Sequence, residues 1–128
     1  MVGIISYGAY IPWLRINRKT IVSAMGWFGQ GASPGEKAVA NYDEDSITMA
    51  VAAGMDCLNT LEREKVDGLY FATTTSSFAG RQGAGIVVTA LDLRPDIETS
   101  DFTGSSKAGT AALLSAGNAV KAGAAKNV

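Results

Sequence analysis

The residues best placed to do chemistry lie in the run Asp101-Phe102-Thr103-Gly104-Ser105-Ser106-Lys107-Ala108-Gly109-Thr110. Hydroxyls and glycines gather there, where a strand hands over to a long apolar helix. A nucleophile at a helix N-terminus is favoured, because the dipole and the free amides stabilise negative charge. The same pattern suits a serine that only caps the helix by accepting from a backbone amide. From residue type alone, capping is the simpler reading.

Other residues narrow the chemistry. The chain has no histidine, so neither a Ser-His-Asp nor a Cys-His arrangement can form within it. A base must be a carboxylate, or come from a partner chain or from further sequence. The single cysteine, Cys57, can form neither an internal disulfide nor a cysteine-based zinc site. It falls on an amphipathic helix and reads as a small apolar residue. Gly80-Arg81-Gln82-Gly83-Ala84-Gly85 follows a strand and precedes a helix, but matches neither glycine-rich nucleotide signature. Glycines easing a tight turn and close helix packing account for it.

These residues need elements to hold them. Residues 2–11 form a glycine-broken apolar run that reads as a strand, ended by Pro12. Asn17 reads as the N-cap of a helix over 18–25. Residues 26–35 hold four glycines and a proline around Trp27 and Phe28, which is loop chemistry. Asp43-Glu44-Asp45 opens the clearest helix, with the acids in its first turn. Apolar residues recur at Ile47, Ala50, Val51, Gly54, Met55, Leu58 and Leu61, the spacing of one helical face. Residues 62–65 form a charged turn, and 66–72 a buried strand with Tyr70 and Phe71. A polar stretch of small residues spans 73–83. A short helix over 86–93 is closed by Pro95, and a strand follows over 97–102.

The last helix is expected over 106–122. No charge falls between Lys107 and Lys121, so it has no polar face and should be buried all round. That burial needs layers on two sides. Residues 127–128 also read as the first step into another strand. The chain therefore reads as stopping early, or as completed by another polypeptide. The order β-α-α-β-α-β-α predicts a layered α/β sheet.

Composition agrees with a packed domain. The chain has 128 residues, 47% apolar and 18% charged, with eleven basic and twelve acidic side chains. A net charge of −1 leaves no electrostatic footprint for nucleic acid or for an anionic membrane. No apolar run reaches the roughly 20 residues of a membrane helix. The start lacks the basic and apolar regions of a signal peptide, which points to the cytosol.

Four ordered stretches carry a resemblance. Ser106-Lys107-Ala108-Gly109-Thr110-Ala111-Ala112 resembles the Cys-Lys-Ala-Gly-Thr-Ala-Ala signature of archaeal-type hydroxymethylglutaryl-CoA synthases and their bacterial relatives. Gly3-Ile4-Ile5-Ser6-Tyr7-Gly8-Ala9-Tyr10-Ile11-Pro12 is similar to their first strand. Residues 40–53, with Tyr42-Asp43-Glu44-Asp45, resemble the opening of their next helix. Val66-Asp67-Gly68-Leu69-Tyr70-Phe71-Ala72-Thr73 resembles their following strand. The resemblance covers essentially the whole chain and about the first third of a family member. It implies a thiolase-like layered fold, with residues 1–128 as an amino-terminal part of its first βαβαβαββ half.

The resemblance also implies a chemistry. Family members take an acyl group from coenzyme A onto a cysteine thiolate and condense it with a second acyl-CoA. Ser106 stands where that cysteine would be, and the Lys-Ala-Gly-Thr register favours it over Ser105. A serine hydroxyl is far less acidic than a thiol. Its presence implies either a replaced cysteine or a different or absent activity. Thr74 stands where hydroxymethylglutaryl-CoA synthases place a glutamate general acid/base, and threonine cannot transfer protons at neutral pH. The family histidine lies beyond Val128. Arg18 and Lys19 correspond to basic residues that meet a CoA phosphate in some relatives; otherwise they form an ordinary solvated pair. The resemblance implies no resident cofactor, with the CoA thioester as substrate, and a homodimer or a thiolase-like partner chain.

Overall fold

The computed structural model describes residues 1–26 and 33–128. Its contacts divide into two units, Ile11–Glu44 and a larger one made of Met1–Tyr10 with Asp45–Val128.

The smaller unit is a hairpin carrying a helix. Strand β1 (Leu14–Asn17) pairs antiparallel with β2 (Glu36–Val39), Arg15 opposite Ala38 and Ile16 opposite Lys37. Helix α1 (Arg18–Met25) follows β1 directly. Asn17 caps it as expected, its Oδ1 accepting from the Lys19 amide at 2.9 Å. Neither strand was legible in the sequence, because each has four residues and only one half-buried position. The aromatic part of the expected loop, residues 27–32, lies outside the described residues.

The larger unit runs α2 (Ser46–Leu58), a short 3-10 turn (Arg63–Lys65), β3 (Gly68–Ala72), α3 (Gly83–Ala90), β4 (Glu98–Phe102) and α4 (Ala108–Ala122). Strands β3 and β4 pair in parallel, Gly68 opposite Glu98 and Ala72 opposite Phe102. A parallel pair needs a crossover, and α3 supplies it. Ile47 and Leu58 of α2, Phe71 of β3, Val87 and Val88 of α3, and Leu91, Leu93 and Ile97 beyond it form one buried cluster. Helix α4 packs on the same two strands through Ala108 and Ala112.

Five expectations from the sequence differ from the structure. Residues 1–12 form no strand, because no ladder partner lies beside them. The segment instead lies on α2, where the Ser6 hydroxyl donates to the Cys57 carbonyl at 2.8 Å and the Ala9 amide to Asp56 at 3.1 Å. The approach is close: a Cβ on Gly8 would stand 2.3 Å from the Ala53 carbonyl oxygen and the Cys57 amide.

Helix α2 begins at Ser46, after the acidic run rather than within it. Asp45 is its N-cap, accepting from Ile47 and Thr48 amides at 3.0 and 2.8 Å, while Thr48 Oγ1 accepts from the Asp45 amide at 2.8 Å. That is a capping box. Helix α3 starts at Gly83 and ends at Ala90, well before Pro95. The stop comes from Asp92 in the left-handed region at φ 53°, with the Leu93 amide bonded back to the Val88 carbonyl.

Helix α4 is not buried all round. Leu113 and Leu114 are 63% and 64% exposed. Its uncharged face is left open to solvent. At the end of the chain no strand forms among the described residues. The amides of Lys126 and Asn127 instead donate to the Asp67 carboxylate at 2.8 and 3.2 Å. Among the described residues no helix is long and apolar enough to cross a membrane.

The Asp45 cap has a pH signature. The Thr48 amide first, then the Ser77 hydroxyl, hold its carboxyl below the ordinary aspartate value. A depressed folded value means its stabilisation is complete above the unfolded value and is lost as pH falls through the folded one. Asp45→Ala should cost about 1 kcal/mol near neutral pH, and less as the solution is acidified below about pH 4. Urea unfolding of both forms at several pH values checks this; a cost that does not shrink on acidification would contradict it.

Candidate functional site

Because β3 and β4 are parallel, the segments that follow them leave the same end of the sheet. The Thr73 amide, just past β3, donates to the Phe102 carbonyl at the end of β4 at 3.0 Å. Thr74 is the next residue. It sits in the turn where the Thr75 amide donates to Thr73 Oγ1 at 3.0 Å, and its side chain is exposed. Ser106 follows Phe102 by four residues and is also exposed. The structure thus brings both positions to the carboxyl end of one strand pair, the edge where open α/β sheets bind ligands.

Ser106 is not a helix cap. Lys107 is the residue before α4 and contributes no side-chain cap. The hydroxyl acting in this turn belongs to Ser105, which accepts from the Lys107 amide at 3.2 Å. No hydrogen bond to the Ser106 hydroxyl is found among the described residues. Capping therefore leaves Ser106 unexplained. Nothing in this turn activates the hydroxyl either, and an unassisted serine is a weak nucleophile.

The walls of this edge are tied to their neighbours. Ser77 donates to Asp45 at 2.8 Å, and Ser46 Oγ donates to the Thr75 carbonyl at 2.9 Å, so residues 75–77 hang from the start of α2. At the far end of the same loop, Gln82 brackets Thr99: its Nε2 donates to the carbonyl and its Oε1 accepts from the hydroxyl, both at 2.9 Å. Asp101 accepts from the Gly83 and Ala84 amides at 2.6 and 2.8 Å. The sequence marks this role of Asp101 only indirectly, as a charged residue inside a half-buried strand that needs a partner.

The remaining candidates fall elsewhere. Arg18 and Lys19 open α1 in the smaller unit, with both side chains exposed. Gly83 is buried against the Phe71 ring, and this close packing accounts for a glycine there. Cys57 is half-buried near the end of α2. A shallow groove of about 420 Å³ runs between α2 and β3, lined by Ala50, Leu69, Phe71 and Leu91 among others; neither Ser106 nor Thr74 lines it.

No family model matches the chain. Individual proteins do. It is 35% identical over 127 residues to the hydroxymethylglutaryl-CoA synthase of Thermococcus sibiricus, covering 98% of this chain and 36% of that protein. Against the synthase of Methanocaldococcus jannaschii it is 34% identical over 132 residues, covering 98% and 38%. The chain thus spans a little over a third of the length of these relatives. Among solved structures, MvaS in complex with 3-hydroxy-3-methylglutaryl coenzyme A superposes with a TM-score of 0.80 at 24% identity, over 96% of this chain and 31% of that one. An HMG-CoA synthase complexed with CoA gives 0.79 at 25% identity, over 94% and 32%. A β-ketoacyl-[acyl carrier protein] synthase III from Thermus thermophilus gives 0.78 at 24% identity, over 97% and 40%. Sequence and fold converge: the chain is similar to part of a hydroxymethylglutaryl-CoA synthase and carries part of the thiolase-like α/β fold.

Proposed function

We propose that the chain is part of an enzyme that condenses acyl-CoA thioesters, with position 106 as the acyl-accepting site and position 74 as the general acid/base site. The supporting observation is that these two positions follow the carboxyl ends of two paired parallel strands. With Ser106 and Thr74 in place, the chain by itself does not run the condensation, because a thiolate and a proton-transfer group are both replaced. Coenzyme A thioester is the substrate and the setting is cytosolic. No resident cofactor is required by this reading. Arg18 and Lys19 serve the CoA phosphates.

A second reading is favoured by the same two replacements. A non-catalytic thiolase-like subunit that supports an active partner chain, or pairs with its own copy, would tolerate both. It too would retain affinity for CoA.

Ligand-dependent stability tests the CoA assignment. Acetyl-CoA should raise the thermal midpoint in step with the logarithm of its concentration, reaching about 2.7 kcal/mol of added stability at a hundred times the dissociation constant. Acetate alone should not. A midpoint that stays fixed up to millimolar acetyl-CoA would overturn CoA recognition by this chain.

A further inference from the structure

We infer that Asp101 is a positioning residue that locks the loop carrying Thr74 to the loop carrying Ser106. This rests on the assignment of those two positions given above. Helix α3 has eight residues, and its first amides have no partner within the helix. The residue before it, Gln82, makes no side-chain cap. Asp101 does so from another element, with one carboxylate oxygen on each of the Gly83 and Ala84 amides. Both of those residues are buried. Two charge-assisted bonds from one rigid strand residue fix geometry as well as energy.

The consequence follows from where these residues sit in the chain. Loop 73–82 ends at α3, so the carboxylate fixes its far end. Its near end is fixed to the neighbouring strand residue, by the Thr73 amide on the Phe102 carbonyl. Loop 103–107 departs from that same Phe102. Asp101 and Phe102 therefore hold both ends of one loop and the root of the other. The Gln82–Thr99 bracket reinforces the joint from one side. Without the carboxylate, α3 loses its trans cap and the two loops lose their common reference.

Two readouts on this 128-residue chain test it. The first is peptide-level hydrogen exchange in Asp101→Asn, which keeps one acceptor oxygen and removes the other. Exchange should rise about tenfold in both 73–82 and 103–107. The second uses a reporter thiol, Ser106→Cys with Cys57→Ala, alkylated by iodoacetamide as a function of pH. Removing a negative charge can by itself only lower the thiol midpoint. Loss of positioning takes the thiol away from the helix start and should raise it toward the free value of about 8.5.

A rise in exchange in both loops together with an upward midpoint supports the inference. A rise confined to 83–86, with the midpoint unchanged or lowered, reduces Asp101 to a local cap and overturns it. If Asp101→Asn exchanges uniformly because it unfolds, Gln82→Ala decides by the same criterion: loosening of both loops supports, loosening of 83–86 alone contradicts. Neither readout uses a thioester, so failure to bind acetyl-CoA leaves this test intact.

Discussion

Phe71→Ala is expected to lower the unfolding free energy of the larger unit by about 3–5 kcal/mol. Phe71 is 6% exposed and belongs to the buried cluster with Ile47, Val87 and Leu91. Its ring fills the space that a side chain at position 83 would need: a Cβ on Gly83 would stand 2.8 and 2.9 Å from two ring carbons. Two close-packed elements thus meet on one ring, and a cavity there has little freedom to collapse. Against a typical stability of about 5–15 kcal/mol this loss is large. The urea midpoint should fall while the slope stays constant. Leu113→Ala on the open face of α4 is the internal contrast, since its side chain is 63% exposed and should cost within about 0.5 kcal/mol. Equal losses for the two would contradict the division between core and open face.

The larger chemical effect is expected from Ser106→Cys. A serine hydroxyl with no hydrogen-bonded base is almost wholly un-ionised near neutral pH. A thiol of ordinary acidity is already a few per cent thiolate, and the thiolate is the attacking species. Transfer from acetyl-CoA to a thiol forms one thioester bond and breaks another, so the exchange has little thermodynamic cost. The acylation rate at position 106 should rise by at least about a hundredfold in a Cys57→Ala background. It should increase with pH and level off above the thiol midpoint. Intact mass followed over time measures it. Equal, slow acylation of the serine and cysteine forms would show that position 106 is not presented to the thioester.

What was legible in the sequence depended on how local the signal was. Asn17 as a cap, the α2 face from Ile47 to Leu58, and the apolar run that holds β3 each follow from spacing or side-chain type within a few residues. The hairpin of β1 and β2 is hidden because a pairing across 19 to 25 residues, from Leu14 to Asn17 onto Glu36 to Val39, leaves almost no burial pattern in either strand. Residues 2–11 have the composition of a strand, but composition cannot supply a ladder partner, and the segment rests on α2 instead. Helix α4 departs from the expectation of burial on all sides. Its uncharged surface does call for cover on several sides, yet only Ala108 and Ala112 are buried in this chain.

The site shows the same division. Ser106 stands out in the sequence as a serine at a strand-to-helix junction, within a motif that resembles the family signature. That it would share an edge with Thr74 required the parallel pairing of β3 and β4, which is not local. The role of Asp101 is not legible locally because its partners, Gly83 and Ala84, lie 18 and 17 residues away and are backbone amides with no side-chain signature.

The most direct measurement is the location of the acetyl group after the Ser106→Cys, Cys57→Ala chain is incubated with acetyl-CoA and digested for peptide mass analysis. The account predicts one acetyl group, on the peptide that contains position 106 and removable by hydroxylamine as a thioester is, with none on the same peptide of the Ser106 form. Acetylation scattered over lysines, or no adduct at position 106 in the cysteine form, would contradict it.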